Sequence, residues 1–370
     1  MTQTNQPSIM NQLECVHATG RKITRFGETP KFSEGLYKIT DDVYVWLVPN
    51  GSWGESNAGV IVGNTSSALV DTLWDLVYTN EMLSAMKPFV THRPIRTVIN
   101  THADGDHFWG NQLFTDAEII ASKKGNEEMS RLKPQSVIML ALLGKILNKM
   151  PNSNLKQAGH FFKTMVSPYH FRGIRSTPAT RTFEGALSLD LDGKKIDLIE
   201  VGPAHTPGDI LVYAEASKTI FTGDILFMES TPVMWAGPLK NWINALDRIL
   251  EMDVDYVVPG HGPVTDKEGV KQVKAYWAFV SEELGKCFKK GWKPEKAATA
   301  IALSQNFAST DFYTWNSPER LMVNAHSYYR EFKGKTGGHP GVPEIMKIMR
   351  KQAILANKLP QAQPRIMRRI

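Results

Sequence analysis

Four short apolar runs in this chain each stop at a histidine or an aspartate, and this constrains the fold more than any other feature. Val98-Ile-Asn runs into Thr101-His-Ala-Asp-Gly-Asp-His107, and Leu198-Ile-Glu-Val leads to His205. Ile220-Phe-Thr-Gly precedes Asp224, and Tyr256-Val-Val-Pro-Gly precedes His261. Short β-branched and apolar runs of this kind read as buried strands. Side chains at the ends of adjacent strands converge. The pattern therefore predicts one sheet edge at which His102, Asp104, Asp106, His107, His205, Asp224 and His261 meet. Imidazole nitrogen and carboxylate oxygen suit Zn, Fe or Mn, with no cysteine needed. One such cluster is weak as a signal, but four in matching contexts point to a metal site.

The motifs resemble those of the metallo-β-lactamase superfamily over roughly residues 43–264. That family's second motif is usually His-x-His-x-Asp-His. The resemblance also takes in Asp71 in Leu69-Val-Asp-Thr, His205 in Ala-His-Thr-Pro-Gly-Asp, Asp224 in Thr-Gly-Asp and His261 in Pro-Gly-His-Gly. Asp104 departs from it, standing where the family has the second histidine. The resemblance implies two divalent metal ions: His102, Asp104 and His205 on the first, Asp106, His107 and His261 on the second, and Asp224 bridging. Asp106 and Asp71 are the expected catalytic residues, with Asp71 orienting a ligand histidine or backbone of the 101–107 loop. A bridging water whose pKa falls to about 7 would supply hydroxide at neutral pH. Asp104 makes the centre one charge less positive, hence a weaker Lewis acid. Its hard carboxylate moves metal preference from Zn toward Fe or Mn.

Alternating strands and helices fit an α/β chain folded as a four-layer αββα sandwich. Residues 1–35 read as an irregular N-terminal arm, 36–265 as the catalytic sandwich with a helical insertion at about 123–175, and 266–370 as a helical C-terminal region completing or flanking it. Residues 137–147 are strongly apolar but number only 11, against about 20 for a bilayer span. They predict a packed helix serving as lid or wall over the site, and no membrane partner. Gly51-Ser-Trp-Gly54 lacks the pattern of a phosphate or dinucleotide loop. Two cysteines, Cys15 and Cys287, and a polar first 35 residues lead to an expectation of cytoplasmic location.

Much of the formal charge of +6 sits in residues 347–369, where Lys347, Arg350, Lys351, Lys358, Arg365, Arg368 and Arg369 have no Asp or Glu among them. A solvated, partly frayed terminal helix is expected there, and no nucleic-acid partner. His17, His92, His160, His170, His326 and His339 default to satisfied polar residues, with His160 or His170 the ones that could face the cleft. Trp53, Phe108, Trp109, Phe227, Met228, Met234 and Trp235 cluster near the metal motifs and mix core with pocket wall. Arg172 and Arg175 are weak anion-binding candidates.

The expected function is hydrolysis of a small, apolar ester, lactone, thioester or activated aryl ether. The partner would be a small-molecule substrate, and homo- or hetero-oligomers are left open. Two alternatives stand beside it. One is a di-iron redox enzyme resembling flavodiiron proteins, for which a flavin domain is lacking in the 109 residues after His261. The other is a non-catalytic subunit of a hetero-oligomeric hydrolase.

Overall fold

The structure, a computed structural model, describes residues 9–369. Its first sheet contains β1 (Glu14–Ala18), β2 (Gly35–Lys38), β3 (Val43–Leu47), β4 (Ala58–Val62), β5 (Ser67–Val70), β6 (Ile95–Ile99), β7 (Glu118–Ser122) and β8 (Arg181–Phe183), in sequence order. Pairing is antiparallel as far as β5 and parallel from β5 to β8. The second sheet is built from β9 (Ala186–Leu191), β10 (Lys194–Glu200), β11 (Ile210–Ala214), β12 (Thr219–Phe221) and β13 (Tyr256–Val258). Only its β12–β13 pair is parallel.

Helices α1 (Leu76–Val90) and α2 (Gly105–Phe108) lie within the first half. The insertion supplies α3 (Lys123–Arg131), α4 (Pro134–Leu147) and α5 (Ser153–Val166), and α6 (Leu239–Glu251) joins β12 to β13. The C-terminal region adds α7 (Lys267–Lys289), α8 (Pro294–Ala302), α9 (Gln305–Ala308), α10 (Leu321–Glu331) and α11 (Val342–Ala356).

Strand periodicity explains the layers. In β3, Val43, Val45 and Leu47 point between the sheets, where they meet Ile196, Leu198, Ile210 and Val212. Tyr44 and Trp46 point the other way, onto Met82, Ala85 and Met86 of α1. In β11, Leu211 and Tyr213 face outward to a third core that holds Trp242 of α6 and Trp277 of α7. Each sheet is thus apolar on both faces, and the expected four-layer αββα sandwich is the observed one.

Two expectations need correction. The N-terminal arm is not irregular throughout: β1 pairs with β2, Glu14 opposite Lys38 and Ala18 opposite Gly35. Residues 1–8 of that arm lie outside the described residues. β1 is an edge strand whose side chains are mostly exposed, so no apolar alternation marks it. Backbone pairing holds it instead, and Gly35 permits the approach, because a Cβ there would lie 2.0 Å from the His17 carbonyl oxygen. The basic tail is also not a solvated helix. α11 buries Ile348, Met349, Ala353 and Leu355, and Lys351 Nζ reaches Glu295 Oε1 at 2.5 Å. No Asp or Glu lies within residues 347–369, but α8 supplies one in space.

Candidate metal centre

The chemistry-bearing side chains all sit at the ends of strands. The 101–107 loop leaves β6 and runs into α2, His205 lies in the β10–β11 loop, Asp224 follows β12 and His261 follows β13. Ile210 N donates to Thr101 O at 2.9 Å and stitches the loops of the two sheets together. Gly260 N donates to Gly223 O at 2.8 Å. A Cβ on Gly260 would stand 2.0 Å from Asp224 Oδ1, so glycine lets this loop close on the carboxylate.

Asp224 is the hub. Its carboxylate lies 3.2 Å from His107 Nε2, 3.3 Å from His205 Nε2, 3.5 Å from His261 Nε2 and 3.8 Å from His102 Nε2. Asp104 Oδ2 is 3.1 Å from His205 Nε2. Asp106 Oδ2 is 3.5 Å from His261 Nε2 and 3.7 Å from His107 Nε2. The seven residues fall into two groups able to hold metal ions, His102–Asp104–His205–Asp224 and Asp106–His107–His261. Within each group the ligand atoms lie within 4.8 Å of one another.

Every imidazole is anchored through Nδ1. His107 Nδ1 donates to Asp71 Oδ2 at 2.8 Å, His205 Nδ1 to Val233 O at 2.5 Å and His261 Nδ1 to Glu55 O at 3.0 Å. His102 Nδ1 donates to Thr101 Oγ1 at 3.0 Å, and that hydroxyl donates onward to Asp71 Oδ2 at 2.7 Å. With Nδ1–H committed to a partner, each Nε2 turns its lone pair to the centre, as a metal ligand requires. His102 Nε2, His107 Nε2 and Asp224 Oδ1 are buried without a hydrogen-bond partner. Orphaned acceptors at one point are costly unless a cation meets them. The donor set therefore fits divalent ions.

Asp71 holds this arrangement at left-handed φ 62°. It accepts from Thr101 N at 2.8 Å as well as from Thr101 Oγ1 and His107. Two arms of the centre thus rest on one carboxylate.

Burial opposes a charged His107, yet Asp224, Asp106 and Asp71 hold its pKa well above the usual imidazole range. Burial also opposes a charged His205, which Asp224 and Asp104 raise to about 9. Asp224 lies well below the usual carboxylate range: burial works against this, but His261, His107, His102 and His205 surround it. Asp104 is held low by His205 despite burial, whereas burial raises Asp106. A divalent ion entering here displaces imidazole protons, so uptake is favoured at higher pH.

The centre opens into a cavity of about 280 Å³. Trp53, Trp74, Trp109, Phe227 and Trp235 line it, and the insertion closes one side with Leu132, Val137, Leu140 and Met165. The C-terminal region contributes Arg320, His339, Ile345 and Met349. Arg320 is buried, donating to Ser230 Oγ at 3.0 Å and Thr231 O at 3.1 Å beneath the Trp53 ring.

A family model described as the metallo-beta-lactamase superfamily matches residues 51–261, more than half of the chain. The chain belongs to the metallo-beta-lactamase superfamily. Among curated members it is similar to an alkyl/aryl-sulfatase of Saccharomyces cerevisiae, 40% identical over 338 residues, covering 83% of this chain and 50% of that protein. It is also similar to the 2,4-dinitroanisole O-demethylase subunit alpha of a Nocardioides species, 25% identical over 224 residues, covering 59% of this chain and 55% of that one. Among solved structures it resembles the stereoselective inverting sec-alkylsulfatase from a Pseudomonas species at TM-score 0.62 and 16% identity, covering 84% of this chain and 52% of that chain. This last likeness speaks to fold alone. The chain spans about half the length of the curated relatives it matches.

The superfamily motifs locate the seven clustered residues and Asp71, but not the rest of the site. Thr101 was visible only as a neighbour of His102, and its relay to Asp71 needs the β5 loop beside it. His339, expected to be an ordinary polar residue, lines the cavity, as does Arg320. No motif surrounds either one. His160 instead meets the Ile366 carbonyl oxygen, at 2.7 Å from Nε2, and His170 is exposed near Asp75. Arg172 and Arg175 are exposed and outside the cavity lining. Of the aromatic and methionine group, Phe108, Met228 and Met234 are core, and Trp53, Trp109, Phe227 and Trp235 are pocket wall.

Proposed function

We propose that this chain is a metal-dependent hydrolase of a small, apolar substrate carrying an ester-type bond. The observation that carries this reading is the convergence of orphaned His102 Nε2, His107 Nε2 and Asp224 Oδ1 behind an apolar-walled cavity that Asp224 lines. His102, Asp104 and His205 would hold one divalent ion, Asp106, His107 and His261 the other, with Asp224 shared. When bound, such a pair supplies Lewis acidity and a water ionised near neutral pH.

The chain's own residues do the remaining work. Asp71 and Thr101 fix two imidazole rings so that their Nε2 atoms stay aimed at the centre. Trp53, Trp74, Trp109 and Trp235 exclude bulk water and favour an apolar body over a nucleotide. Arg320 presents a buried guanidinium that favours a substrate with an anionic or electron-rich group. Sulfate esters and activated aryl ethers both meet that description, and they match the names of the sulfatase and demethylase relatives.

A panel of alkyl sulfates, nitroaryl methyl ethers, lactones and thioesters, assayed after reconstitution with Zn, Mn or Fe, tests the proposal. Turnover of an ester-type member that disappears on chelation is expected. A chain that retains metal yet turns over nothing in the panel would sink it. Asp104 favours a second reading, since a hard carboxylate in this position suits iron and a redox centre. Two irons per chain with oxygen consumption would select that reading, and oxygen-independent hydrolysis would select the first. Asp104→His should move metal content toward Zn when the ions compete. Unchanged metal content, measured by elemental analysis, would remove Asp104 from that role.

A further inference from the structure

The insertion holds a feature that the metal chemistry leaves unexplained. From Val137 to Leu147, α4 is apolar except for Gly144 and Lys145, yet only one side of it is covered. Its inner side closes the cavity with Val137 and Leu140 and crosses α5 where Gly144 meets Gly159. Its outer side shows Ile138, Met139, Leu142, Leu143 and Ile146 to solvent, with Met150 beyond its end; Met139 is 69% exposed, Leu142 58% and Ile146 53%. Exposed apolar stripes of this size on a globular protein mark an interaction surface.

The surrounding charge is one-sided. Between Glu128 and Glu184 the chain carries nine Lys or Arg residues and no Asp or Glu. Lys133, Lys145 and Lys149 flank the stripe, exposed and without an ion pair among the described residues. Arg369 of the basic tail reaches Asn148 at the end of α4, at 3.1 Å. The tail thus adds cations to the same face. No helix among the described residues is long and apolar enough to cross a membrane; an exposed apolar stripe with cations beside it suits a helix lying on a surface.

We propose that α4 and its basic flanks dock this protein on an anionic lipid surface. The apolar stripe enters the headgroup boundary, and Lys133, Lys145, Lys149 and Arg369 meet acidic headgroups. A second copy of the chain is a poorer occupant. A two-fold pairing sets the same patch against itself and brings the basic flanks together with no acid to offset them. Docking would also place the cavity one helix away from the bilayer, a short path for an apolar substrate. The proposal does not depend on the metal reading, because binding is measured without substrate or turnover.

The test is co-sedimentation of the full chain with two sets of vesicles, phosphatidylcholine alone and phosphatidylcholine with roughly a quarter phosphatidylglycerol. Binding to the second set is expected, at least roughly tenfold weaker to the first and on raising salt from about 0.1 to 0.5 M. Leu142→Gln with Ile146→Gln should weaken partition by roughly tenfold or more, as should Lys145→Glu with Lys149→Glu in a chain that keeps the stripe. Circular dichroism and the urea midpoint check that both variants remain folded. Failure of the parent chain to sediment with anionic vesicles overturns the proposal. A concentration-dependent dimer that Leu142→Gln with Ile146→Gln dissolves, with no vesicle binding, also overturns it and assigns the stripe to a second copy.

Discussion

At the scale of single residues, the seven clustered side chains were legible because each follows a strand directly, so local spacing already implied convergence. Of their support, Asp71 was legible through the family motif, and the Thr101 relay was not. Asp71 accepts three hydrogen bonds from Thr101 and His107, and Asp71→Asn replaces one acceptor with a donor facing donors. Asparagine tolerates left-handed φ, so the backbone survives and the effect is isolated. Metal affinity should fall roughly 10–100-fold; unchanged affinity in chelator competition would deny Asp71 its orienting role. His326 tests electrostatics away from the centre. Burial, with Lys351 and Lys347 of α11 beside it, lowers its pKa from 6.5 to about 4. The folded chain therefore refuses a proton that the unfolded chain accepts. Stability from neutral His326 is complete above pH 6.5 and is lost as pH falls toward 4, up to about 3 kcal/mol. His326→Gln should flatten that acid-side decline, and parallel stability curves for parent and variant between pH 7 and pH 5 would contradict this account.

At the scale of elements, strands were legible wherever apolar alternation or a continuous apolar run marked them, and β1 was missed because an edge strand held by backbone needs neither. The lid shows the reverse case. Composition announced an apolar helix at residues 137–147, but its close crossing of α5 depends on two glycines 15 positions apart, Gly144 and Gly159. A Cβ on Gly159 would lie 2.3 Å from Asn148 N and 2.7 Å from Gly144 O. Both are backbone atoms and cannot swing aside. Gly159→Ala should cost about 1–3 kcal/mol and push α4 outward, loosening one wall of the cavity. Gly285→Ala in α7 is the control. Nothing lies within 4 Å of a Cβ there, so the same substitution should stabilise by about 0.4–1 kcal/mol. Equal urea midpoints for the two variants would show that the helix crossing is not tight.

At the scale of the whole molecule, the C-terminal region shares one core with the sandwich. Trp242 of α6 packs on Trp277 of α7 at 4.8 Å. Asn324 of α10 accepts from Met234 N at 2.9 Å and donates to Pro232 O at 2.9 Å. Arg320, Ile345 and Met349 complete the cavity. We therefore expect one cooperative thermal transition, with calorimetric and van't Hoff enthalpies that agree. Two resolved transitions would show that residues 266–370 fold as a separate unit. A chain ending at residue 265 should lose its tertiary packing, because that core would be open to water.

Local order along the chain was enough to specify most of the strands and the loops that carry His and Asp, since strand periodicity and chain adjacency are short-range properties; the division of those residues between two ions came from the family resemblance. It could not specify which distant side chains finish the cavity, what pairs with the basic tail, or which face of α4 is left uncovered. Those follow from long-range packing. A residue such as Arg320 or His339 acquires its surroundings from segments far away in sequence, 89 and 90 positions for the hydrogen-bond partners of Arg320, and no window of neighbouring residues encodes that proximity.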